Sequence, residues 1–156
     1  MTVPPPALHN AHTIEYAVVD DTVTFEQRHA LNVGGKWLGE VPRLAICRNL
    51  DEATFMVFHC DSDWNVLGVA SGYTNTEDAK VGTERSYHGL AAKWLLSGYT
   101  LDDAIAYGAK LFNDQECSFC GRMPPHCQSM AGDLVRICNY CVDEFHEWMH
   151  RDSTGN

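Results

Sequence analysis

The chain has 156 residues, 45% hydrophobic and 21% charged. That balance fits one folded domain, or a domain plus a small module, and excludes wholesale disorder. Eleven Lys and Arg against 21 Asp and Glu give a net charge of -10. This weighs against binding nucleic acid through the overall field, because phosphate contacts need basic side chains, and any partner steered by the field is basic. No apolar run reaches the roughly 18 residues that a membrane span requires.

The start, Met1-Thr2-Val3-Pro4-Pro5-Pro6, has neither a basic lead nor an apolar core and does not resemble a signal peptide. The three prolines predict a short, extended and poorly ordered lead-in over residues 1–9. The expected compartment is the cytoplasm.

Thr13–Val19 is rich in β-formers, and Asp20-Asp21 follows as a turn. Thr22–Phe25 is the expected hairpin partner. Asn32–Gly39 carries three glycines and is expected to be a loop. Arg43–Cys47, Thr54–Cys60 and Asn65–Ser71 are the strongest strand candidates, with Asp61-Ser62-Asp63 joining the last two. Trp37, Trp64 and Trp94 are expected core anchors. Thr74-Asn75-Thr76-Glu77 fits a capping box and predicts a helix to about Tyr87, stopped by Gly89. Thr100-Leu101-Asp102-Asp103 caps a second helix carrying Ile105, Ala109 and Phe112. Residues 10–113 therefore read as an α+β domain: a small antiparallel sheet with helices packed on one face.

Asn113–Glu116 is polar and marks the predicted boundary to a module over residues 114–150. A polar tail, 151–156, is expected to fray. The chain has seven cysteines, and an odd count without an export signal argues against a disulfide framework. Five of them, Cys117, Cys120, Cys127, Cys138 and Cys141, crowd into 25 residues. Cys117-x2-Cys120 and Cys138-x2-Cys141 are separated by 17 residues, a zinc-ribbon or knuckle spacing. A C-x2-C turn sets its sulfurs about 3.5–4 Å apart, the edge of a tetrahedron with Zn–S near 2.3 Å. Four thiolates leave no open coordination position, so the expected Zn²⁺ is structural. So short a segment buries little core, and the metal must supply its folding energy. Arg122 and Arg136 can offset the net charge of the tetrathiolate. His126 and Cys127 belong to no close pair and rank as bystanders.

Cys117-Ser118-Phe119-Cys120-Gly121-Arg122, Met130-Ala131-Gly132 and Ile137-Cys138-Asn139-Tyr140-Cys141-Val142-Asp143 together resemble the C4 zinc-binding domain that begins the ClpX chaperone. That family reads C-S-F-C-G-K, A-G and I-C-x-x-C-V. The likeness covers about residues 115–150 and extends to positions that are not ligands. It implies a treble-clef or ribbon-like module with Cys117, Cys120, Cys138 and Cys141 as ligands. It also implies dimerisation and capture of unfolded clients or adaptors. The chain departs from the family in three ways. The spacing before Ala131-Gly132 is one residue short, Pro124-Pro125-His126-Cys127 replaces a charged stretch, and the module comes last rather than first. No G-x-x-x-x-G-K-[ST] is present, so ATP-driven unfolding does not transfer.

After the last ligand, Val142, Phe145, Trp148 and Met149 form one apolar helical face. Asp143, Glu144, Glu147 and His150 occupy the other. That face is the candidate partner surface, for a second copy or another protein. Elsewhere, His59 and Cys60 are adjacent on a strand and point to opposite faces, so they form no catalytic pair. Asp61, Asp63 and Asn65 alternate as in a calcium loop, but Val66 stands where its glycine belongs and Gly72 where its closing glutamate belongs. No catalytic set emerges. The expected function is a zinc-stabilised protein-interaction protein. Two other classes fit less of the sequence: an acidic, immunity-type inhibitor of a basic toxin, motivated by the charge, and an enzyme built on Cys60.

Overall fold

The computed structural model describes residues 3–113, 116–122, 127–131 and 135–151, with side chains at 111–113 set aside. Two compact units divide within one helix, between Gly108 and Ala109.

The first unit is built on an antiparallel sheet. Its strands are β1 (Ala7–Leu8), β2 (Ala11–Val18), β6 (Arg43–Asn49), β7 (Phe55–Cys60) and β8 (Val66–Tyr73) in that spatial order, and Leu95–Leu96, β10, also pairs with β2. The remaining elements of this unit are β3 (Thr24–Phe25), β4 (Asn32–Val33), β5 (Lys36–Trp37), α1 (Thr76–Glu84) and β9 (Tyr87–His88). The helix α2 (Leu101–Asn113) runs across the division. The α+β expectation and all four long strands are observed, each within two residues of the predicted ends.

Strands β6 and β7 alternate between two apolar clusters, as a period of two requires. Leu44, Ile46 and Val57 meet Ala17, Ala79 of α1, Tyr87 and Leu90 on one face. Ala45, Cys47, Phe58 and Cys60 meet Leu8, Tyr16 and Trp64 on the other. The second face is therefore closed by the N-terminal segment and a turn, not by a helix. Pro4 is fully buried and Ala7-Leu8 pairs with β2, which corrects the expected poorly ordered lead-in for its described residues 3–9. Burial of Pro4 and Leu8 outweighs the weak local preference of a proline-rich start.

Four other expectations need correction. Thr24-Phe25 pairs with Tyr87-His88 across the sequence rather than with β2. Asn32–Trp37 is a hairpin, β4 with β5, turning at Gly34-Gly35, whose φ values of 59° and 83° suit glycine. Trp37 on that hairpin is 61% exposed and anchors no core; Trp64 is buried, and Trp94 packs half-buried against the first cluster. The N-cap of α1 is Asn75, which accepts a 2.8 Å bond from the Asp78 N–H, while Thr74 donates to the Asp78 carboxylate. That helix ends at Glu84 instead of Tyr87, and the Glu84 carboxylate turns back to accept the N–H groups of Gly89 and Ala91.

The cap of α2 is as read. Thr100 Oγ1 accepts from the Asp103 N–H at 3.1 Å, and Asp103 Oδ2 accepts from the Thr100 N–H at 2.8 Å. The side chain of Phe112 lies outside the described residues. Ile105 and Ala109, placed on the same face, are exposed.

The turn between β7 and β8 is held by Asp61. Its carboxylate accepts the N–H groups of Asp63 and Asn65 and the Asn65 side-chain amide, at 2.8–2.9 Å. These bonds hold Trp64 at φ 67° and set its ring edge-on to Tyr16, 5.8 Å between centroids. The aspartates thus shape a turn that roofs the core. Cys60, beneath it, is fully buried; burial and the Asp61 charge push its thiol up to about 12. A thiol so placed is a small apolar core residue rather than a nucleophile.

The second unit contains a turn at Cys117–Cys120, a short hairpin of β11 (Ser129–Ala131) and β12 (Arg136–Cys138), and the helix α3 (Asn139–Arg151). Pro124, Pro125, His126, Gly132 and the tail from Asp152 lie outside the described residues. Among the described residues, no helix is long and apolar enough to cross a membrane.

Candidate metal centre

The centre is assembled from two local structures. At the first, the Cys117 N–H donates to Arg122 O at 2.9 Å and the Gly121 N–H donates to Cys117 O at 3.0 Å. Gly121 sits at φ 73°, which closes this tight turn and sends both thiols to one side. At the second, β12 delivers Cys138 to the start of α3, and one helical turn brings Cys141 back beside it.

Two bonds join these pieces. The Ser118 N–H donates to Arg136 O at 2.7 Å, and the Arg136 N–H donates to Ser118 Oγ at 2.9 Å. The turn is thereby paired to β12 like a short extra strand, and the two cysteine pairs converge.

All four sulfurs, of Cys117, Cys120, Cys138 and Cys141, lie within 4.8 Å of one another. Cys117 Sγ to Cys141 Sγ is 3.8 Å and Cys120 Sγ to Cys138 Sγ is 3.6 Å. A metal about 2.3 Å from each sulfur of a tetrahedron implies edges close to these. The residues present therefore fit a tetrahedrally bound ion, and the four-cysteine cluster can hold a metal. Cys117, Cys138 and Cys141 are buried and Cys120 is exposed.

The electrostatics favour a cation. Burial opposes ionisation of Cys117, but the N–H groups of Phe119, Cys120 and Cys138 outweigh it and bring the thiol down to about 6. Cys138 is likewise lowered against its burial, by the Cys141 N–H and the Cys120 sulfur. Cys141 is pushed up, by burial and then by the sulfurs of Cys120 and Cys117. The backbone N–H groups thus favour thiolate on one side of the cluster while close sulfurs oppose it on the other, and a cation entering the cluster favours loss of the remaining protons. Arg122 supplies positive charge from outside: its guanidinium lies 3.7 Å from Cys120 Sγ and stacks 4.7 Å over the Tyr140 ring.

All four spacing-predicted ligands are brought together. Cys127, ranked as a bystander, is not one of the four, yet it is buried in one cluster with Cys117, Cys138 and Cys141. Spacing gave no sign of this, because Cys127 has no C-x2-C partner. Asn139 is a further contributor: its N–H donates to Gln128 O at 2.8 Å and its Oδ1 accepts the Gln128 N–H at 2.9 Å.

On α3, Phe145 packs edge-on to Phe119 of the cysteine turn, 5.3 Å between centroids. Val142 is half-buried, while Trp148 and Met149 are 65% and 60% exposed. The predicted face thus splits: Phe145 meets the cysteine turn, while Trp148 and Met149 are largely exposed.

Compared with protein-family models, curated proteins and solved structures, the chain matches none significantly.

Proposed function

We propose that this protein is a zinc-stabilised protein-interaction protein whose C-terminal module pairs with a second copy of the chain. The observation that carries the reading is the set of four sulfurs at tetrahedral spacing, with an exposed Trp148 and Met149 on the helix that supplies Cys141. Zinc suits four thiolates with no open position, a closed and structural set. The order of cysteine turn, hairpin and helix favours a treble-clef module, and so do the ClpX-like residues around the four cysteines.

The second copy is favoured by the charge around the open face. Glu144 and Glu147 flank it towards the start of α3 and Arg151 closes it at the end. An antiparallel pairing of α3 centred on Trp148 sets Arg151, which pairs with Glu147 of its own chain at 3.6 Å, near Glu144 of the other copy. Docking of an unfolded client or adaptor is the alternative occupant.

The test is sedimentation equilibrium of the full chain, as purified and after removal of metal. The reading expects one zinc per chain and a dimer that is lost with the metal. A metal-loaded chain that remains monomeric overturns the pairing.

A further inference from the structure

Four sulfurs lie within 4.8 Å of one another, and a fifth cysteine is buried with three of them. The fifth, Cys127, is 8% exposed and lies with Cys117, Cys138 and Cys141. It is held there by its neighbours. The reciprocal bonds between Gln128 and Asn139 clamp the residue after Cys127 to the residue after Cys138, and Ser129 pairs with Cys138 in the hairpin. The chain just after Cys127 is thereby held beside Cys138, and the Cys127 thiol lies in the same buried cluster. At the opposite extreme, Cys120 is the one exposed cysteine of the five. It also has a counter-ion waiting outside the cluster, the Arg122 guanidinium.

From this asymmetry we infer that Cys127 is a reserve ligand that takes the place of Cys120 on the metal. The inference rests on the metal-binding reading above. In the exchange, the bond from the metal to Cys120 Sγ breaks and one to Cys127 Sγ forms. The proton that leaves Cys127 passes through water to the departing Cys120 sulfur, so the metal keeps four thiolates and charge is conserved. The exposed corner is where electrophiles reach the site first. With a replacement thiol already buried beside Cys138, losing that corner does not empty the site.

The test uses the full chain as wild type, Cys120→Ser, Cys127→Ser and the double variant. Each is stripped of metal under reducing conditions and titrated with Co²⁺, whose sulfur-to-metal charge-transfer absorbance scales with the number of bound thiolates. Both single variants are expected to bind one Co²⁺ with the four-thiolate absorbance of wild type. The double variant is expected to retain about three quarters of that absorbance and to bind at least about tenfold more weakly than Cys120→Ser. Absence of Co²⁺ binding by wild type overturns the metal reading itself. If wild type binds and Cys120→Ser either fails to bind or shows only three thiolates, the reserve role alone is overturned. Loss of binding in Cys127→Ser also overturns it, because Cys127 is then a resident ligand.

Discussion

Cys117 Sγ lies 3.8 Å from Cys141 Sγ, although 24 positions separate the two residues. Nothing local draws them together. The two bonds between Ser118 and Arg136 do, one backbone to backbone and one to the Ser118 hydroxyl, and a cation is what makes four such sulfurs stable side by side. Cys138→Ser therefore removes one of the four sulfurs and weakens the hold on the cation. Structural zinc in small modules contributes on the order of 10–16 kcal/mol to folding. The expected outcome is loss of bound zinc and protease sensitivity confined to the second unit. Mass-mapped limited proteolysis with metal analysis checks it, and a folded, zinc-loaded Cys138→Ser sinks it.

Trp148 is the largest exposed side chain on the open end of α3. Central aromatic anchors of interfaces typically cost about 2 kcal/mol or more when truncated. Trp148→Ala is expected to weaken self-association by roughly 30-fold with zinc content unchanged, read by sedimentation across a concentration series. An unchanged dimer, or a loss of zinc, contradicts this.

Gly68 on β8 sits beneath the β4–β5 hairpin. A Cβ there meets Leu31 Cδ2 at 2.8 Å and Val33 Cγ2 at 2.9 Å. Gly68→Ala is expected to destabilise the first unit by about 1–3 kcal/mol through overpacking, while Gly39→Ala, with open space around it, is expected to be nearly neutral. Urea denaturation of both variants provides the comparison, and equal midpoints refute it.

His59 is buried against Tyr87, and its Nδ1 has no hydrogen-bond partner among the described residues. Burial lowers its pKa from 6.5 to about 4. Between these values the unfolded chain binds the proton and the folded chain does not, so stability rises with pH. The contribution is fully present above about 6.5 and is lost as pH falls towards 4, on the order of 3 kcal/mol in all. His59→Leu is expected to flatten this part of the stability profile, measured by denaturant titrations from pH 7 to 4.5. The same slope in wild type and variant rules the account out.

Local chemistry made part of the fold legible. The β-branched and aromatic runs of β2, β6, β7 and β8 announce strands, and Thr100 with Asp103 announces a helix start, because each signal is satisfied within a few residues. The hairpin at Gly34-Gly35 was also written locally, in a dipeptide suited to a tight turn. The pairing of Thr24-Phe25 with Tyr87-His88 was not, since backbone hydrogen bonds carry no mark of their partner. Nor was the exposure of Trp37 or the burial of Pro4, because whether an apolar side chain is covered depends on what the rest of the chain brings to it.

At the metal centre the division is the same. The sequence alone determined the four candidate ligands, since two C-x2-C turns already set each sulfur pair at the edge length of a tetrahedron. Only the tertiary structure decided that Cys127 lies among them and Cys120 at the surface. A thiol's access to solvent and to its neighbours is a property of packing, and in this module packing is arranged by contacts such as Gln128 with Asn139 that span 11 positions.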